Sequence, residues 1–166
     1  MPLRLPSPLK RFAKRDDGAI LVEFGLILPF MVLLLAGTLE VARLMWSYQA
    51  VIAGVRDASR YMSRITPSDI CSSGGSVAAL APTLKGMIEN ERKGGAGILP
   101  PNITVNSVTP SLTCVTGTYR VSPAPVGQVT ANVTIDFPMG GLFAAFDGRA
   151  PSITTNVSDT TRIFGQ

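Results

Sequence analysis

The chain has 166 residues, 46% of them hydrophobic and 16% charged, a length that allows one modest soluble core beside one membrane segment and excludes two such cores. Its formal net charge of +4 is concentrated in residues 1–18, which hold five Lys/Arg against two Asp/Glu; the rest hold ten against nine. A short basic tract without interleaved aromatics, placed before an apolar run, reads as a topology signal and argues against nucleic-acid binding.

Arg4, Lys10, Arg11, Lys14 and Arg15 form that leader, and the positive-inside tendency places them in the cytoplasm. The run GAILVEFGLILPFMVLLLAGTL follows from Gly18 to Leu39 and is long enough to cross a bilayer. It holds one carboxylate, Glu23, near its start. A carboxylate in hydrocarbon costs a few kcal/mol unless protonated or paired, so Glu23 is a functional candidate. Pro29 removes one helical hydrogen bond. An ordinary kink and a place where the helix loosens during assembly explain it equally well.

A cleavable secretory signal normally has a shorter apolar region followed by a small-residue cleavage site. Here the run continues through LLLAGTLEVAR into an amphipathic pattern. Val41, Leu44, Met45, Tyr48, Ile52, Val55 and Met62 follow helical spacing, with Glu40, Arg43, Arg56, Asp57, Arg60 and Arg64 assigned to other faces. The expectation is one helix from about Ala19 to Arg64, roughly 70 Å long at 1.5 Å per residue. The row Arg56, Arg60, Arg64 reads as a solvated edge, with a packing role left open.

Thr66-Pro67 ends the helix, and SDICSSGGS reads as a turn-rich linker. Val77 to Lys93 is expected to form a second helix, with Pro82 near its start and Gly94-Gly95 stopping it. From Asn102 the texture is β: NITVNSVT, LTCVTGTYRV, GQVTANVTIDF and SITTNVSDTTRIF predict three or four antiparallel strands. Val129, Ala131, Val133, Ile135 and Phe137 alternate with Thr130, Asn132, Thr134 and Asp136, the pattern of a sheet covered on one side. Its apolar face is expected to pack on the long helix. The loop 138–151, with Leu142, Phe143 and Phe146, is expected to lid the core. The fold class is thus α+β: a leader (1–18), a transmembrane half (19–39) and an amphipathic half (40–65) of one helix, a linker with a short helix (66–101), and a β-rich head (102–166).

Cys71 and Cys114 are the only thiols, and an even count in an oxidising space predicts a disulfide. A metal site fails on ligand number, with no His and no CxxC. No cofactor motif is present either: GGAG at Gly94–Gly97 lacks the Lys of a phosphate loop. The carboxylates are scattered singly, which leaves general acid–base catalysis without a constellation. Asn102, Asn132 and Asn156 begin N-x-S/T triplets, which Thr-rich strands generate by chance.

The order G-AILV-EF-GLIL-P, with Glu23 fifth and Phe24 sixth after Gly18 and then Pro29, resembles the N-terminus of a TadE-like minor pseudopilin of the tight-adherence (Flp) pilus system, within the type IV pilin superfamily. The resemblance continues through EVARLMWSYQAVIAGVRDASRYMSR and the tail SITTNVSDTTRIF; Gly25 stands where such sequences often have Ala. It implies cleavage between Gly18 and Ala19 by a prepilin peptidase, and a Glu23 that registers neighbouring subunits by pairing with a freed amine, beside Phe24. It also implies a non-enzymatic subunit of the inner membrane with a periplasmic head. Its partners would be the major and minor pilins and the pilus assembly platform. The alternatives are an unprocessed single-pass anchored binding or sensing domain, and a secreted enzyme or binding protein released by signal peptidase.

Overall fold

The computed structural model describes residues 17–90, 99–141 and 152–165. Its elements are a long helix α1 (Asp17–Ile65), a single turn α2 (Ile70–Ser73), a 3-10 turn (Ala78–Leu80) leading into α3 (Ala81–Glu89), and strands β1 (Ile103–Val115), β2 (Ala124–Asp136) and β3 (Ser152–Arg162). The α+β class is as expected. The chain divides into two compact units, residues 1–41 and 42–166.

Helix α1 starts two residues before the expected Ala19 and ends one after Arg64. It stops where Pro67 disfavours helical geometry in Thr66. The chain's C-terminal segment covers this end. The Phe164 and Gly165 amides both donate to the Ser63 carbonyl, at 3.1 and 3.4 Å, satisfying a carbonyl that a helix terminus would otherwise leave open. Gly165 needs to be glycine: its φ is +63°, and a Cβ there would run into the Ser68 backbone.

The second unit is built on a three-stranded antiparallel meander in the order β1-β2-β3. Val129, Ala131, Val133 and Ile135 of the central strand are all 1% exposed or less, and the residues between them face outward, so the expected alternation holds. Against this face lie Val51, Val55, Ala58 and Met62 of α1, with Leu84 and Ile88 of α3 completing one core.

The face that α1 uses differs from the expected stripe. Val55 and Met62 are buried, but Val41 and Met45 are each 60% exposed, and the covered line runs through Ser47, Val51, Gly54, Val55, Ala58, Ser59, Met62 and Ser63. The reason is contact distance. Small residues bring the helix backbone close to its neighbours, and Gly54 sits where an added Cβ would already touch Ile88 at 3.4 Å. Their polar atoms are satisfied locally: the Ser63 hydroxyl donates to the Arg60 carbonyl (2.8 Å) and the Ser59 hydroxyl to the Arg56 carbonyl (3.0 Å). The Ser59 hydroxyl has one proton, shared between that carbonyl and the Asp159 carboxylate of β3.

NITVNSVT and LTCV form one 13-residue strand, β1, which runs straight through Pro110 opposite Val129. Proline cannot donate to a ladder but is tolerated on an edge strand, and β1 is an edge. Residues 119–121 of the expected second strand lie outside any strand. One irregularity, between Val105 and Ser107, bulges Asn106 out of register. Its side chain donates to Asn132 (2.7 Å) and Thr134 (2.9 Å), and Asn132 donates to Asn156 (2.6 Å). The Asn side chains of two of the three N-x-S/T triplets are thus tied into an outer-face ladder, while Asn102 donates to Ser47 and to the Asp136 carbonyl.

The linker contains the turn α2, which was not expected, and the second helix is shorter than Val77–Lys93 because Asn90 turns to extended geometry after Glu89. Gly94, Gly95 and the Phe143/Phe146 loop lie outside the described residues. Cys71 in α2 and Cys114 in β1 form the expected disulfide, with Cα atoms 5.8 Å apart and a sequence separation of 43. Closing such a loop is worth ~4 kcal/mol in the chain-entropy model. Reduction, or Cys71→Ser with Cys114→Ser, is therefore expected to lower the melting temperature by many degrees. Thermal unfolding of the detergent-solubilised protein with and without reductant measures it, and an unchanged midpoint would refute the contribution.

Candidate functional site in the N-terminal helix

Residues 17–41 are helical throughout and apolar on nearly every side. Ile20, Leu21, Leu26, Phe30, Leu34 and Leu35 are 61–74% exposed. The most apolar 18-residue window has a mean hydropathy of 2.4 with only 6% of it buried. A soluble core helix of this composition would be covered by its own protein. Twenty residues at 1.5 Å rise give about 30 Å, the thickness of a bilayer's hydrocarbon. The helix is thus compatible with single-pass anchoring.

Backbone and side-chain polar groups in such a segment have to be satisfied internally. Thr38 is an instance: its hydroxyl lies 2.5 Å from the Leu34 carbonyl and 3.2 Å from that of Leu35. Pro29 has no amide to donate to the Gly25 carbonyl four residues back, and its ring crowds that carbonyl. The helix continues through Pro29 nonetheless. Residue 25 is a glycine, at which a Cβ would meet nothing within 4 Å, so this exposed backbone is free to adjust.

The structure places Gly18 and Ala19 in the first turn of α1, and Glu23 and Phe24 one turn further on. The amide groups of a helix's first turn have no carbonyl partners within the helix. Glu23 is exposed between Val22 (65%) and Phe24 (56%). It follows Ala19 by four residues, so the two share a helix face with about 6 Å of rise between them. Scission after Gly18 would create an ammonium at Ala19, on the face that carries the Glu23 carboxylate.

Sequence reasoning assigned Glu40 to a polar face, and the structure corrects this: Glu40 is 5% exposed, four residues after Ala36 at 4%. The signal was available. Residues 36, 40, 44, 47 and 51 recur at helical spacing, and that line, not the large apolar residues, marks the covered side. Arg56, Arg60 and Arg64 are exposed, as a solvated edge should be; among the described residues the one ion pair they make is Arg60 to Asp57 at 3.8 Å, between side chains 70% and 67% exposed.

Residues 18–60 match the TadE-like protein family model. Over these residues, about a quarter of its length, the chain is similar to TadE-like proteins. The match opens at Gly18, the residue of the inferred cleavage site, and closes within α1. No curated protein matches, and no solved structure does.

The exposed ion pair gives a test of the arginine edge. Surface pairs of this kind contribute little, so Arg60→Ala in this TadE-like helix is expected to change stability by less than ~0.5 kcal/mol. A drop of several degrees in the melting temperature would show that the edge packs against something.

Proposed function

We propose that the protein is a minor pseudopilin: a non-enzymatic, membrane-anchored structural subunit, cleaved after Gly18 and used in assembling a tight-adherence pilus. The observation that carries this is the coincidence of the TadE-like match, beginning at Gly18, with one uncovered apolar helix bearing a lone carboxylate at Glu23. The basic leader would lie in the cytoplasm, and residues 42–166, with their disulfide, in the oxidising periplasm. The partners are then the inner membrane, a prepilin peptidase, the major and minor pilins and the assembly platform.

On this reading Glu23 is held in lipid by an ammonium of a neighbouring subunit, since only a charged partner makes the carboxylate useful there. Phe24 lies beside it, and Pro29 loosens the helix one and a half turns later.

Two outcomes are expected. Mature protein from cells containing the peptidase begins at Ala19, and Gly18→Leu stays at precursor length. Recovery of intact residues 1–18 by mass spectrometry would instead favour an unprocessed anchored domain. Glu23→Gln inserts as well as the parent, or better, but impairs piliation. Normal surface pili at normal protein level, with normal cleavage, would remove Glu23 from the functional residues.

A further inference from the structure

A cavity of about 530 Å³ opens between α1 and the loop that enters β1, walled by Arg43, Trp46 and Ala50 on the helix and by Pro100, Pro101 and Pro138 opposite. This is within the range of about 300–1,000 Å³ usual for small-ligand sites. The walls are braced. Asn102 donates to Ser47 (3.4 Å) and to the Asp136 carbonyl (3.1 Å), and the Ile103 amide donates to the Pro100 carbonyl (3.0 Å).

Three features select the occupant. Arg43 supplies a guanidinium, and among the described residues no carboxylate lines the cavity; guanidinium is the group best suited to a phosphate. The three prolines offer apolar surface and no N–H, so the opposite wall gives an added peptide strand little to pair with. The third is position along α1. Arg43 follows Leu39, the last residue of the apolar run, by four residues and Trp46 by seven, which is about 6 and 10 Å of rise. The headgroup layer of a bilayer is about 5–7 Å deep on each side. Helical side chains lean toward the N-terminus, which brings both groups back toward that layer. Trp46 is 73% exposed, an amphipathic ring where interfacial tryptophans collect.

We propose that this cavity seats the headgroup of a membrane phospholipid, with Arg43 on the phosphodiester and Trp46 against the glycerol and the upper acyl chain. The lipid anchors this turn of α1. The inference rests on the reading of the apolar run as a membrane span, and its test separates the two.

Trp46 is the only tryptophan, so its fluorescence reports on this site alone. The full-length protein is reconstituted in phosphatidylcholine–phosphatidylglycerol vesicles carrying a lipid spin-labelled at the headgroup or brominated deep in the acyl chain, and aqueous iodide is added separately. The expected result is strong quenching of Trp46 by the headgroup label and protection from iodide. Arg43→Gln is expected to lower headgroup quenching about twofold, and Arg43→Lys to retain most of it. A companion variant, Trp46→Phe with Phe30→Trp, reports on the span and is expected to be quenched by deep bromines. Deep quenching at position 30 with Trp46 open to iodide would overturn the lipid site and leave the span intact. Absence of deep quenching at position 30 would overturn both. Unchanged headgroup quenching in Arg43→Gln would remove Arg43 from the site and with it the proposed phosphodiester contact.

Discussion

A single helix, Asp17–Ile65, has to satisfy two environments with one continuous backbone, and most of what the protein is follows from how its residues change along the way. Between residues 20 and 35 most side chains are large, apolar and exposed, a composition with no stable place in water and a natural one in lipid. From residue 47 the covered positions are Ser, Val, Gly, Ala and Met. Hydrophobic burial drives the second half alone, because lipid offers apolar side chains nothing that a neighbouring helix would improve on.

The packing of that second half explains its small residues. A sheet laid on a helix gains from close approach, since dispersion falls steeply with a gap of even an ångström. Ser59 and Ser63 allow that approach and return their hydroxyl protons to carbonyls one turn back. Gly127 of β2 serves the same end from the other side, where a Cβ would collide with the Met62 methyl group and crowd Ile163. The disulfide then fixes α2 to the far end of β1, a region where the linker alone would supply little burial. The Ser59–Asp159 hydrogen bond joins α1 to the opposite edge strand, so both edges of the meander are tethered.

What was legible in the sequence was whatever a period or a count encodes. The apolar run, the alternation through Val129 and Ile135, and the pairing of two cysteines each leave such a mark. The covered face of α1 was not legible from hydrophobicity, because Val41 and Met45 are far more apolar than Ser47 and Ser59 while contact distance, which no single residue states, favours the latter. Pro110 misled for a related reason: punctuation predicts a strand break, but an edge strand does not need the missing donor. At the candidate site the residue types and their order were legible, and their shared face follows from the spacing of four between Ala19 and Glu23. The cavity beside Arg43 was not, since its far wall comes from residues more than fifty positions away.

The two glutamates of α1 show how a chain separates what it resolves alone from what it leaves open. Glu23 and Glu40 lie seventeen residues apart on one helix, about 25 Å by helical rise. Glu40 is 5% exposed, so its carboxylate is desolvated when the subunit folds. Glu23 is exposed among side chains suited to hydrocarbon, where desolvation is imposed by the membrane and no folding contact is in place to offset it. A carboxylate kept at that cost, one turn from the bond inferred to be cut, needs compensation from outside the subunit. On the proposed reading, assembly is the step at which a neighbour's ammonium would supply it, and a membrane penalty at Glu23 would then favour association once subunits meet.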